Sequence, residues 1–103
     1  MFKISFFVPV NDAEKVKIAM FNAGAGRIGN YDCCSFETLG TGQFRPLEGS
    51  NPHIGSKDTV EKVQELKIEM VCEDGLIKQA IEALKSSHPY ETPAYDVLKC
   101  EEY

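Results

Sequence analysis

No run of apolar residues in this chain approaches the roughly 20 that a membrane-spanning helix needs, which excludes a helical membrane protein. Basic residues are also few: 11 Lys and Arg against 16 Asp and Glu give a net charge of −5, and no Lys/Arg cluster occurs. Non-specific nucleic-acid binding draws its affinity from basic contacts to phosphates, so that class is set aside. Histidine occurs only as His53 and His88. The cysteines are Cys33, Cys34, Cys72 and Cys100, with no C-x-x-C among them. Cys33 and Cys34 are adjacent and, on a strand, face opposite sides, so they do not make the two-cysteine grip of a zinc site. A cleavable leader is not expected. The apolar residues of MFKISFFVPV alternate with Lys3 and Ser5, and no small-residue cleavage site follows. The expected location is the cytoplasm, with free thiols.

What is there fits one domain, residues 1–103. A chain this size buries roughly 65% of its unfolded surface, enough to fold alone with little margin. Phe2, Ile4, Phe6, Val8 and Val10 alternate and predict a strand that ends near an edge at Pro9. Asn11 with Glu14 predicts a capping-box helix start, and Ala13, Val16, Ala19, Met20 and Ala23 share one helical stripe. YDCCSFETL, from Tyr31, predicts a second strand, and the Gly40-Thr41-Gly42 triplet a tight turn or bulge before QFRPL. Glu48 to Asp58 is rich in turn residues and without period, long enough to suggest function. Leu66, Ile68, Met70 and Cys72 recur at period two in a long half-exposed strand over 60–72. Asp74 then caps a helix whose Leu76, Ile77, Ala80, Ile81 and Leu84 form a stripe, and a last strand runs from about Thr92 to Cys100. The order β-α-β-β-α-β is the ferredoxin-like, split βαβ plan: α+β, with both helices on one face of a four-stranded antiparallel sheet.

GAGRIGNY contains a literal G-x-G-x-x-G in Gly24, Gly26 and Gly29. The dinucleotide fingerprint runs strand, glycines, helix, which sets pyrophosphate at a helix N-terminus. Here the order is helix, glycines, strand, and a phosphate would meet the negative end of the dipole. The motif is therefore read as a helix C-cap and close-fitting connection. A nest of backbone amides that holds a small anion is its functional alternative.

Several longer segments resemble a known family. Gly24 to Tyr31, the Gly-Thr-Gly-x-Phe run from Gly40 to Phe44 and the Asn-Pro-x-Ile-Gly end at Asn51 to Gly55 are similar to the inserted domain of the Nif-three-like proteins, a dinuclear-metal, GTP cyclohydrolase-like family. HPYETPAYDV, His88 to Val97, fits the end of that insert and is similar to the His-Pro-Tyr-Glu segment of CutA proteins. The resemblance implies a ferredoxin-like fold of the CutA/PII type, commonly a trimer. The family's metal-binding residues lie in flanking halves outside these 103 residues, so its dinuclear site and hydrolase activity are not carried over. By analogy with PII-like and CutA proteins, a small effector or a divalent metal is the ligand to expect, at clefts between subunits.

The candidate site follows from these segments. Ligand contacts are expected from Gly24, Gly26, Gly29, Tyr31, Gly40, Gly42, His53 and Glu91, and metal ligation from His53, His88 and Glu91, with Cys34 as the alternative to Glu91, since imidazole and thiolate donors suit copper or zinc. The plain readings stand beside them: His53 as a solvated loop residue, His88 as a cation favoured at a helix end, and Glu91 as an ion-pair partner of Arg27 or Arg45 across a subunit boundary. Neither Cys33 nor Cys34 has a sequence-near histidine to activate it, so a thiol nucleophile is not expected. A four-stranded sheet with helices on one face leaves the other bare, and Tyr31, Phe7 and Phe36 would occupy it. Such a patch is larger than a monomer tolerates, which motivates a homotrimer. The expectation is a non-enzymatic trimeric binding or regulatory module that recognises a divalent metal or small metabolite. Its alternatives are a small metal-assisted hydrolase using His53, His88 and Glu91, and a protein-interaction module acting on a partner protein through loop 48–56.

Overall fold

A computed structural model describes all 103 residues. In chain order, strand β1 is Phe2–Pro9, helix α1 Ala13–Asn22, strand β2 Phe36–Phe44, strand β3 Glu61–Cys72, helix α2 Ile77–Ser87 and strand β4 Tyr95–Lys99. The strands form one antiparallel sheet in the order β2-β3-β1-β4. This is the ferredoxin-like plan that the alternation of strand and helix patterns predicts.

The period-two pattern decides which side of the sheet is dry. Ile4, Phe6 and Val8 of β1 lie opposite Met70, Ile68 and Leu66 of β3, and all six are buried. Val16 and Met20 of α1 and Ala80 and Leu84 of α2 close that layer from above. Each large side chain removed from water there contributes roughly 1.5–3 kcal/mol, so this layer carries the fold. Lys3, Ser5 and Phe7 of β1, Glu65, Lys67, Glu69 and Val71 of β3, and Phe36, Thr38, Gly40, Gly42 and Phe44 of β2 share the opposite, open face.

The ends of the elements differ from the sequence patterns in instructive ways. Neither Asn11 nor Asp74 caps a helix with its side chain; a 3-10 turn leads into each helix instead, Val10–Asp12 before α1 and Asp74–Leu76 before α2. The Asp74 carboxylate is drawn away by charge, to Lys99 at 2.8 Å and to the Met1 amino group. α1 does end at Gly24 as its pattern predicts. The Gly24 amide reaches the Phe21 carbonyl and the Ala25 amide the Met20 carbonyl, the paired bonds of a Schellman motif, with Gly24 at φ +103°. β1 is a central strand rather than an edge, and Pro9 is tolerated because it is the strand's last residue. β2 begins only at Phe36, so Tyr31 to Ser35 belong to the loop, with Cys33 in left-handed backbone at φ 55°.

Gly40-Thr41-Gly42 is not a turn. The triplet runs straight through β2, paired with Glu65, Gln64 and Val63. β2 and β3 continue together to Phe44 and Glu61, past Pro9, where β1 stops opposite Glu65. The result is a two-stranded arm that overhangs the body, and the molecule measures 46 × 25 × 24 Å.

Candidate functional site

The loop after β2 folds back beside the segment that follows α2, and together with the open face of β1, β2 and β3 they enclose a cavity of about 850 Å³. Phe7, Thr38, Gly40, Gly42, Lys67 and Glu69 lie along its floor, and Arg45, Pro52, His53, Tyr90 and Glu91 are among the residues around it. The excursion from Glu48 and the HPYE segment, widely separated in sequence, thus meet over the sheet. One bond that joins them is the Asn51 amide donating to Glu91 Oε2 at 2.7 Å. Within the chain, Glu91 is held by this amide.

Tyr90 is the hub. Its ring packs at 5.8 Å from Phe44, 6.4 Å from His53 and 5.0 Å from His88, measured between centroids. Its hydroxyl donates to Glu65 Oε2 at 3.0 Å. Burial, and then the Glu65 bond, push the phenol far above its ordinary value, so Tyr90 stays a donor at any physiological pH. Glu65 lies on the open face and is nonetheless buried, at 8% exposure. Gly42 explains how: a Cβ at residue 42 would fall 1.6 Å from Glu65 Oε1. The missing side chain is the space in which the carboxylate lies.

His88 is not the exposed helix-end cation that its position after α2 suggests. The chain turns extended at His88, with φ −72° and ψ 138°, and the ring tucks back under Tyr90 at 7% exposure. Nδ1 accepts the Tyr90 amide at 3.1 Å, which assigns the proton to Nε2, and Nε2 donates to the Phe7 carbonyl at 2.7 Å. Burial lowers its pKa, so the ring is neutral. Both ring nitrogens are engaged within the chain, leaving neither free to ligate.

Gly40, Gly42, His53 and Glu91 therefore line the cavity, and His88 braces it from beneath. Gly24, Gly26, Gly29 and Tyr31 do not reach it within one chain. The Gly26 amide bonds the Val71 carbonyl, six residues along β3 from Glu65 or roughly 20 Å away. Tyr31 closes a tight turn with Ile28 and is 75% exposed. No three His, Cys, Asp or Glu side chains converge closely enough to hold a metal ion. Sequence reasoning missed Glu65, Lys67 and Tyr90. Glu65 and Lys67 looked like the solvated half of an alternating strand; the only hint of their setting was the pair of glycines on the strand opposite.

No protein-family model matches the chain. Curated relatives do: the GTP cyclohydrolase 1 type 2 homolog of Halalkalibacterium halodurans is 46% identical over 97 residues, spanning 94% of this chain and 26% of that protein. The homolog from Listeria innocua is 45% identical over 100 residues, with 96% and 27% covered. Among solved structures, a Bacillus cereus protein related to NIF3 superposes with a TM-score of 0.83 at 42% identity, covering 98% of this chain and 26% of that one. CutA1 from Pyrococcus horikoshii superposes with a TM-score of 0.71 over all of this chain and 86% of its own, at 18% identity, a likeness of fold alone. The chain spans about a quarter of the length of the curated relatives it matches. Nearly the whole chain is thus similar in sequence to about a quarter of the NIF3-related GTP cyclohydrolase 1 type 2 homologs, and its fold is CutA-like.

Proposed function

We propose that this domain is a non-enzymatic binding or regulatory module that acts as a homotrimer and takes its ligand, a small metabolite or a divalent metal, in the cleft on the open face. The cleft itself carries the reading: about 850 Å³ is the size of a small-molecule site, and two distant loops are fastened to each other to enclose it. Nucleophile and base are not paired there, since His88 spends both nitrogens on backbone groups.

The trimer rests on exposed apolar area. Phe36 at 69%, Leu39 at 62%, Tyr31 at 75% and Ile28 at 53% exposure gather on β2 and the loop before it. β2 is also an edge strand with free backbone groups, which proteins ordinarily cover. A metal reading needs donors beyond His53 and Glu91, and on this proposal a second copy provides them. Sedimentation at micromolar concentration tests the assembly, and calorimetric titration with divalent metals and a metabolite panel tests the binding. A monomer that binds nothing in either panel overturns the proposal.

A further inference from the structure

Glu65, Lys67 and Glu69 succeed one another on the open face of β3, and neither carboxylate forms an ion pair with the lysine between them, although Glu69 feels its charge. Glu65 accepts from Tyr90 at 3.0 Å and Glu69 is paired with Lys3 at 2.8 Å. Lys67 forms no ion pair, nor does Arg45 just beyond the end of β2. The neighbours of Lys67 across the sheet are Thr38 and Phe7, neither of them charged. An ammonium group thus stands on the floor of a cavity flanked by Phe7, Phe44 and Tyr90. Low-polarity walls weaken the screening of such a charge and strengthen its pull on an anion. A bare inorganic anion would leave those walls wet, and a wholly apolar guest would strip water from Lys67 without replacing it. A molecule with both characters satisfies both.

We propose that the cleft takes an amphipathic organic anion, its apolar or aromatic body against Phe7, Phe44 and Tyr90 and its anionic end on Lys67, with Arg45 as a second cation. This rests on the reading of the cleft as the ligand site and adds the chemical class of the ligand.

The full chain is titrated with anilinonaphthalene sulfonate and with its uncharged counterpart phenylnaphthylamine, both read by fluorescence. Saturable binding of the sulfonate is expected, weakened about tenfold in Lys67→Met, with the neutral compound unaffected by that change. Gly40→Phe fills the cavity from a position where an added Cβ meets nothing within 4 Å, so it leaves the fold intact by circular dichroism and blocks both compounds. Equal sulfonate affinity in the parent and Lys67→Met, with Gly40→Phe still blocking, overturns the anionic class and leaves the cleft as a ligand site. Binding that ignores Gly40→Phe, or no binding of either compound, overturns the site together with the inference.

Discussion

Phe6 and Phe7 are neighbours in β1, yet Phe6 is wholly buried beneath the helices and Phe7 is 36% exposed on the other side of the same strand. The helix-covered face is apolar and continuous: thirteen buried residues form a single cluster there. The open face carries Lys3, Glu65 and Glu69, held by an ion pair and a hydrogen bond, with Lys67 unpaired among them. A sheet can therefore devote one side to stability and leave the other to recognition, because alternate residues answer to different surroundings. The two sides should also respond differently to the same kind of change.

The widest gap is expected between two phenylalanines. Phe6→Ala removes a fully buried ring and should cost about 3–5 kcal/mol in urea unfolding. Phe36→Ala, on the open face, should change the stability of a dilute single chain by less than about 0.5 kcal/mol while weakening self-association in sedimentation. Equal losses at both positions would erase the distinction between the faces.

A smaller effect should come from the polar contact that buries a carboxylate on the open face. Tyr90→Phe deprives buried Glu65 of its donor, and Gly42→Ala places a methyl group where the carboxylate lies. Each should cost about 1–3 kcal/mol by denaturant titration. The double variant should cost less than the sum of the two, since both break the same contact.

The smallest changes concern protons. His88 has a folded-state pKa below its ordinary 6.5 because it is buried, so the unfolded chain takes up a proton first as the pH falls. Its contribution is complete above about pH 7 and declines as the pH drops through 6.5. The unfolding midpoint should slope downward there, and the slope should flatten in His88→Gln. Asp74, held at about 2 by Lys99 first and the Met1 amino group second, acts lower on the scale. Its contribution is present above the ordinary carboxylate value of 3.8 and disappears as the pH falls toward 2, a feature that Asp74→Asn should abolish.

The body of the fold was legible because period two and period 3.6 are imposed by burial, and burial leaves the plainest mark on a sequence. Ile4, Phe6, Leu66, Ile68, Val16 and Leu84 all sit where their spacing puts them. Helix starts were less legible, since Asn11 and Asp74 have the chemistry of caps while the chain enters each helix through a 3-10 turn. Glycine was ambiguous in principle. At Gly24 it supplies a left-handed bend, whereas at Gly42 it supplies room for Glu65, and spacing alone does not separate those uses. The resemblance to the Nif-three-like and CutA sequences pointed to His53, Glu91 and the HPYE segment, and the structure does bring these to one cavity. That Lys67 and Tyr90 line it as well follows from the fold, which brings Tyr90 to Glu65 from a segment 25 positions away along the chain.

The ending of β1 at Pro9 has a mechanical consequence. Beyond that point residues 61–64 of β3 keep only β2 as a ladder partner, so the arm is a ribbon two strands wide, free to coil more tightly than the body it springs from. Amide protons along its outer margins should trade with deuterium quickly in a solitary molecule, and a slowdown confined to that ribbon would report the moment something lies down beside it.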